Sequence, residues 1–127
     1  MADTRCQLEC EDWVRLHWMP KELGQQFFRE RVRLSTGGTF DFDAVSADRN
    51  VAASISTSGA NTANGKRGAG KLYKLRSDML FLLMADVSQR MIILTERDMY
   101  DLLRREKQAG RVPDSIEFRL APLAGPH

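Results

Sequence analysis

Two aspartates and two serines alternate with apolar residues in two consecutive segments of the chain. Asp41 and Asp43 are two positions apart in the first segment, and Ser54 and Ser56 are two positions apart in the second. Residues two apart in a β-strand share a face, so each pair presents its oxygen atoms in one direction. Carboxylate oxygens are ligands for Mg²⁺, and bound Mg²⁺ supports hydrolysis of phosphate esters. Asp41 and Asp43 are therefore the residues of this pattern that carry oxygen atoms of the kind such chemistry uses.

A basic stretch that contains several glycines follows the second segment. Residues 58–70 are rich in Gly, Asn, Ala, Ser and Thr, a composition that predicts a loop. Glycines allow backbone N–H groups and neighbouring cationic side chains to approach phosphate groups closely. The predicted nucleic-acid-binding residues are Lys66, Arg67, Lys71 and Lys74.

Composition limits the class of protein. The chain has 127 residues, 43% hydrophobic and 28% charged, which predicts a single globular domain over residues 1–127. The net charge of +2 is too small to indicate a polyanionic partner by itself, so local clusters of charge must decide. The longest apolar run, residues 79–85, is too short to cross a membrane, and no signal peptide precedes it. We expect a cytoplasmic protein without a membrane partner.

Hydrophobic periodicity predicts an α/β domain. A helix over residues 5–18 ends before Pro20, a short helical turn follows over residues 21–26, and three strands form an antiparallel meander. A helix rich in leucine, a central apolar strand, a second helix capped by Thr95 and a short final strand complete the domain. The predicted strands are residues 28–34, 39–46, 51–57, 90–95 and 116–120, and the later helices are residues 70–85 and 95–109.

The alternation of polar and apolar residues predicts the register of the second and third strands. A two-residue hairpin loop within residues 47–50 would align the polar faces of both strands, whereas a slip of one residue would expose their apolar faces. The expected pairs are Asp43 with Ser54, Asp41 with Ser56, and Phe42 with Ile55.

With these elements in place, the chain resembles the PD-(D/E)XK nuclease superfamily, which has the restriction-endonuclease-like fold. That family has an N-terminal helix, a meander with Asp in its second strand and Glu-x-Lys near the end of its third, then a helix and a further strand. Here Asp43 lies at the position of the family's Asp, and Ser54 and Ser56 lie at the positions of its Glu and Lys. The resemblance covers roughly residues 8–100.

The resemblance implies a site for phosphodiester hydrolysis, and this chain departs from it. Family members hold a divalent cation between two carboxylates, and the lysine orients or activates the attacking water. Ser54 replaces one carboxylate ligand and Ser56 replaces the lysine, so the resemblance leaves Asp43 and, more weakly, Asp41 as the candidate ligands of a Mg²⁺ ion. The candidate catalytic positions are thus Asp43, the degenerate Ser54 and Ser56, and Lys71. They predict a nuclease-like domain that binds nucleic acid or regulates without hydrolysis.

Three alternatives remain open. Lys71, Lys74 or Glu96 could replace the missing groups and give an active, Mg²⁺-dependent nuclease. The chain could instead be a protein-interaction domain that uses a sheet edge or the helix bearing Trp13 and Trp18. The two aspartates could also be a solvated strand face. The candidate partners are DNA, RNA or a second copy of the chain, and no cofactor is expected unless hydrolysis requires Mg²⁺.

Overall fold

The computed structural model describes residues 4–60 and 69–123, and its centre is a mixed five-stranded sheet in the order β1-β2-β3-β4-β5. The first three strands are antiparallel neighbours, whereas β3, β4 and β5 are parallel. The α/β class predicted from the sequence is therefore confirmed. The strands are β1 Phe27–Arg33, β2 Thr39–Ser46, β3 Val51–Ser56, β4 Gln89–Leu94 and β5 Ile116–Leu120.

Helical segments cover both faces of the sheet, because the strands are apolar on both sides. One layer begins with α1, which continues through a π-helical turn into α2, and the other contains α3 and α4. We call the apolar residues under the first layer the α1-side core, and those under the second the α3-side core. The helical segments are α1 Thr4–Trp13, the π turn Val14–Trp18, α2 Met19–Leu23, α3 Ala69–Met84 and α4 Arg97–Gln108.

The α3-side core follows the helical spacing of the sequence. On α3, Leu72, Leu75, Met79 and Leu82 are buried, as the period of about 3.6 residues predicts. On α4 the expected stop is confirmed, since Gly110 has a left-handed φ of 79° just after the helix. The predicted start is wrong by two residues: Glu96 precedes the first turn, and no side chain caps it.

The N-terminal helix extends past its predicted end. Pro20 was expected to interrupt it, but the chain stays helical through the π turn into α2, whose first turn contains Pro20. The helix ends instead at Gly24, which has a φ of 78° and donates its N–H to the carbonyl of Pro20 at 2.9 Å.

Where β2 and β3 pair, the predicted register is confirmed, with the pairs Ala44–Ala53 and Val45–Ala52. The expected pairs of Asp43 with Ser54, Asp41 with Ser56 and Phe42 with Ile55 are not formed. Residues 47–50 separate the two strands, as predicted. Arg49 has a φ of 62°, and its N–H bonds to the carbonyl of Ser46 at 2.8 Å, which closes the turn.

A β-bulge in β2 changes the predicted faces. Against β1, the partner of Phe28 is Val45 but the partner of Glu30 is Phe42, so β2 contains one extra residue here. Phe42 and Val45 lie in the α3-side core, whereas Ala44 lies in the α1-side core. The prediction that Phe42 and Ile55 share a face is therefore wrong, because Ile55 belongs to the α1-side core.

Candidate functional site

A cleft of about 340 Å³ opens where β2 and β3 diverge, between α1 and α3. Its walls come from five elements, α1, β1, β2, β3 and α3, and from the segment that follows β3. The residues that line it are Gln7, Leu8, Glu11, Arg29, Asp43, Ile55, Ser56, Thr57, Ser58, Lys71, Lys74, Leu75 and Asp78. A concave site with this many ionisable groups is the default location for binding or chemistry.

Asp43 lies at the floor of the cleft, within the bulge of β2. The register would place Phe42 opposite Ile55, but the Asp43 carboxylate occupies this position, and its Oδ2 accepts the Ile55 N–H at 2.8 Å. Its other oxygen, Oδ1, lies 3.8 Å from Nη2 of Arg29. Burial raises the pKa of Asp43, and the Ile55 N–H and the charge of Lys74 oppose this rise.

Asp78 projects into the cleft from α3. Its side chain is only 10% exposed, and Oδ2 accepts a hydrogen bond from Nζ of Lys74 at 3.2 Å. Burial raises the pKa of Asp78 as well, with Lys74 opposing. The negative charge of Asp78 also raises the pKa of Asp43, so the two carboxyl groups and Lys74 form one electrostatic group.

The opposite wall contains an ion-pair network from α1 and β1. Arg15 is buried and pairs with Glu11 at 2.9 Å, and Glu11 also lies 3.7 Å from Nε of Arg29. Arg29 is largely exposed, as are Lys71 and Lys74 across the cleft. Positive charges therefore line the rim, while the carboxylates lie deeper.

Among the predicted catalytic positions, the structure brings Asp43, Ser56 and Lys71 to the cleft. Ser56 accepts the N–H of Ser58 at 3.3 Å. Ser54 is 2% exposed and does not line the cleft. Of the predicted nucleic-acid-binding residues, Lys71 and Lys74 line the cleft, whereas Lys66 and Arg67 lie outside the described residues.

Asp41, the weaker candidate metal ligand, does not line the cleft that contains Asp43. It forms an exposed ion pair with Arg31 at 2.9 Å. This hydrogen bond lowers the pKa of Asp41. Glu96 also lies away from the cleft, where its carboxylate accepts the hydroxyl of Thr95 at 3.2 Å.

Two ionisable cleft residues were missed by the sequence analysis: Glu11 and Asp78. Arg29 was predicted on the basic outer face of the first strand, as part of a second stripe of positive charge for nucleic-acid contact. A signal for Asp78 was present, because it follows Leu75 by three residues and precedes Leu82 by four, at the spacing of the buried face of α3. An aspartate on a buried helical face requires a partner or a function. Glu11 carries no comparable signal.

The carboxylates of the cleft can be compared with the ligands of Mg²⁺, which prefers six oxygen atoms and usually retains several waters. Within residues 4–60 and 69–123, no three His, Cys, Asp or Glu side chains converge in a way that could hold a metal ion. Three carboxylates line the cleft, Glu11, Asp43 and Asp78, and each has one oxygen engaged by an N–H donor. The described residues therefore do not fit a preformed Mg²⁺ site.

Comparison with family models, with curated proteins and with solved structures finds no match for this chain. Among the described helices, none combines the length and hydrophobicity needed to cross a membrane.

Proposed function

We propose that this chain binds nucleic acid by holding the phosphate backbone at the cleft, and that it does not hydrolyse it. The observation that carries the proposal is the convergence of exposed cations from two elements, Lys71 and Lys74 from α3 and Arg29 from β1, on one cleft. Cations spaced along a groove neutralise successive phosphates and release their counterions. Lys66 and Arg67, which lie outside the described residues, come shortly before α3 in the sequence and belong to the same predicted phosphate-binding set.

Two further observations support the absence of hydrolysis. Ser56 stands where the resemblance implies a catalytic lysine, and Ser54, where it implies a carboxylate, is buried outside the cleft. The carboxylates that face the cleft do not assemble a metal site with a third ligand.

The order of elements, a helix, an antiparallel meander, a helix and a parallel strand, agrees with the order the resemblance implies. This agreement supports a nuclease-like fold, which is part of the proposal.

The proposal retains the cytoplasmic location expected from the sequence, and a second copy of the chain remains a candidate partner. Phosphate contacts position a protein on nucleic acid without reading bases. We therefore expect affinity with little sequence preference and with a strong dependence on salt.

The proposal is tested by salt titration of binding to short DNA and RNA fragments. Replacing Arg29 and Lys71 together with alanine should weaken binding and reduce the log–log salt slope by roughly 2, since each cation lost removes about one phosphate contact. Replacing Lys66 and Arg67 together should act in the same way. The matched control replaces Arg104 and Arg105, which are exposed on α4 away from the cleft. Absence of binding at low salt, or equal slopes in all proteins, would favour a protein-interaction domain.

A second candidate function is a metal-dependent nuclease with relocated catalytic groups. The observation in its favour is the electrostatic group of Asp43, Asp78 and Lys74, which contains two carboxylates and a lysine, although not at the expected positions. Here Mg²⁺ would be held by the two carboxylates together with phosphate oxygens of the substrate. The activity would be a phosphodiesterase.

One substitution separates the two functions. If the cleft only binds phosphate, Asp78→Asn removes a like charge facing the polyanion and strengthens binding. If the cleft is catalytic, Asp78→Asn and Asp43→Ala abolish cleavage of single- and double-stranded DNA or RNA in Mg²⁺ or Mn²⁺. Asp114→Asn, at an exposed position away from the cleft, is the control for charge. Metal-dependent cleavage by the wild type that is lost on Asp43→Ala would overturn the non-hydrolytic proposal.

A further inference from the structure

The π-helical turn has an unusual pattern of burial. Val14 and Met19 are both fully buried although they are five residues apart, and the N–H of Met19 donates to the carbonyl of Val14. In a regular α-helix a separation of five residues rotates a side chain well away from the starting face, because one turn takes 3.6 residues. The wider π turn returns both residues to the sheet, and it leaves Arg15 buried beside Val14.

Arg15 connects this turn to the bulge in β2. Its Nη1 donates to Oε2 of Glu11 at 2.9 Å and to the backbone carbonyl of Asp43 at 3.2 Å. Its Nη2 donates to Oδ1 of Asp12. A guanidinium presents its donors in a rigid, planar fork, so these contacts fix its orientation. The two acidic residues hold the guanidinium, and the guanidinium holds the carbonyl of the bulge.

Asp43 is thereby held at two points. Its carbonyl accepts from Arg15 on the α1 side, and its carboxylate accepts the Ile55 N–H of β3. A bulge interrupts the ladder and leaves backbone groups without their regular partners, so its conformation depends on such substitutes. Rotation of the Asp43 peptide would move both its carbonyl and the direction of its side chain.

We propose that Arg15 is a positioning residue that sets the direction of the Asp43 carboxylate in the cleft, acting through the carbonyl of the bulge. The inference concerns the geometry of the cleft and holds whichever ligand the cleft binds. A lysine at this position would keep the charge, but its ammonium lacks the planar fork and could not make all three contacts in the same geometry.

The Ile55 amide reports directly on this arrangement, because the Asp43 carboxylate is its acceptor. The experiment measures amide hydrogen exchange and chemical shifts by NMR in the full chain. Asp43→Ala defines the signal when the bond is absent. A hydrogen bond to a charged group is strong enough that its loss should accelerate Ile55 exchange about tenfold or more, relative to Ile92 and Ile93 of β4.

Arg15→Met should move the Ile55 amide toward its position in Asp43→Ala and accelerate its exchange by a similar factor, although Asp43 is intact. Arg15→Lys should give an intermediate shift, and it serves as the test if Arg15→Met does not fold. Arg76→Met is the matched control, because Arg76 pairs with Glu106 at 2.6 Å on the opposite side of the sheet. It should leave Ile55 unchanged.

The readout separates positioning from a purely structural role. If Arg15 only stabilises α1, its replacement lowers global stability while the relative exchange and shift of Ile55 stay at their wild-type values. That result, in either Arg15 variant, would overturn the proposal. The measurement requires no nucleic acid, so its failure is distinguishable from failure of the proposed function.

Discussion

The two halves of the sheet are built differently. In the half formed by β4, β5 and α4, a run of fully buried apolar residues in β4 packs between parallel neighbours and regular helices. In the other half, where β2 and β3 diverge, the backbone contains a bulge and α1 contains a π turn. This half also buries Arg15 and contains the two carboxyl groups, Asp43 and Asp78, whose pKa values burial raises.

The difference shows that the irregular features of the backbone and of the buried side chains occur together, around the cleft. A bulge, a π turn, a buried guanidinium and desolvated carboxylates each have an energetic cost, and here they all occur around one cleft. Such features persist only where surrounding contacts hold them, and they concentrate at functional sites. The regular half provides the stability that allows the irregular half to keep this geometry.

The largest expected effect is on the free energy of unfolding, when the same substitution, isoleucine to alanine, is made once in each half. Ile92→Ala in β4 should lower the free energy of unfolding by about 4 kcal/mol, because Ile92 is fully buried in the α3-side core and the cavity would have no contact with solvent. Ile55→Ala should cost about 2 kcal/mol, because Ile55 borders the cleft and water can fill part of the space. Urea denaturation measures both values. Equal losses would contradict the division into two halves.

A smaller effect is expected at the junction of α3 and β4. Arg90 donates from Nε to the carbonyl of Leu82 at 2.7 Å and from Nη2 to the carbonyl of Ala85 at 2.9 Å, so it satisfies the last carbonyls of α3. Arg90→Met should cost about 2 kcal/mol, since hydrogen bonds from charged groups contribute about this much. Thermal or urea unfolding checks it, with Arg105→Met, at an exposed position on α4, as the control.

A third prediction concerns pH. Burial raises the pKa of Asp43 in the folded protein, so the folded state binds its proton more tightly than the unfolded chain. Protonation of Asp43 therefore favours the folded state. This contribution to stability is fully present below the pKa of the unfolded chain, about 3.9, and it is lost as the pH rises through the pKa of the folded protein. Asp43→Asn keeps an acceptor for Ile55 without the charge. Its stability relative to the wild type should increase from pH 4 to pH 7, measured by urea midpoints. A constant difference would contradict the prediction.

The smallest effect is expected at Asp41. Its ion pair with Arg31 is exposed on both sides, and such pairs contribute little because water and salt screen them. Asp41→Asn should therefore leave the urea midpoint and nucleic-acid affinity unchanged within error. A loss of metal-dependent activity in this variant would instead restore Asp41 as a ligand.

The regular half could be predicted from the sequence, because each of its elements has a local signal. The run Met91 to Leu94 predicts a strand covered on both faces, and the spacing of Met99, Leu102 and Leu103 predicts the buried face of α4. The register of β2 and β3 was also predictable, because shifting it by one residue would expose the apolar side of both strands.

The geometry of the cleft could be predicted only in part. Asp43, Ser56, Lys71 and Lys74 were identified from strand alternation and the basic stretch, and all four line the cleft. The bulge depends on contacts with no local signal. The bond from Arg15 to the carbonyl of Asp43 spans 28 residues. Alternation predicts one face for Asp41 and Asp43, but only Asp43 lines the cleft.

The edges of the sheet have a consequence for solubility. β1 is an edge strand, and its Arg29, Arg31 and Arg33 side chains are exposed. Charged side chains on an edge oppose its pairing with the edge of another molecule, since two copies would bring like charges together without solvent. The opposite edge, β5, carries Glu117 and Arg119, which have opposite charges and pair with each other, so the same repulsion does not act there. The β1 edge is thus protected against intermolecular β-pairing, and we expect it not to nucleate fibrils at concentrations where an apolar edge would.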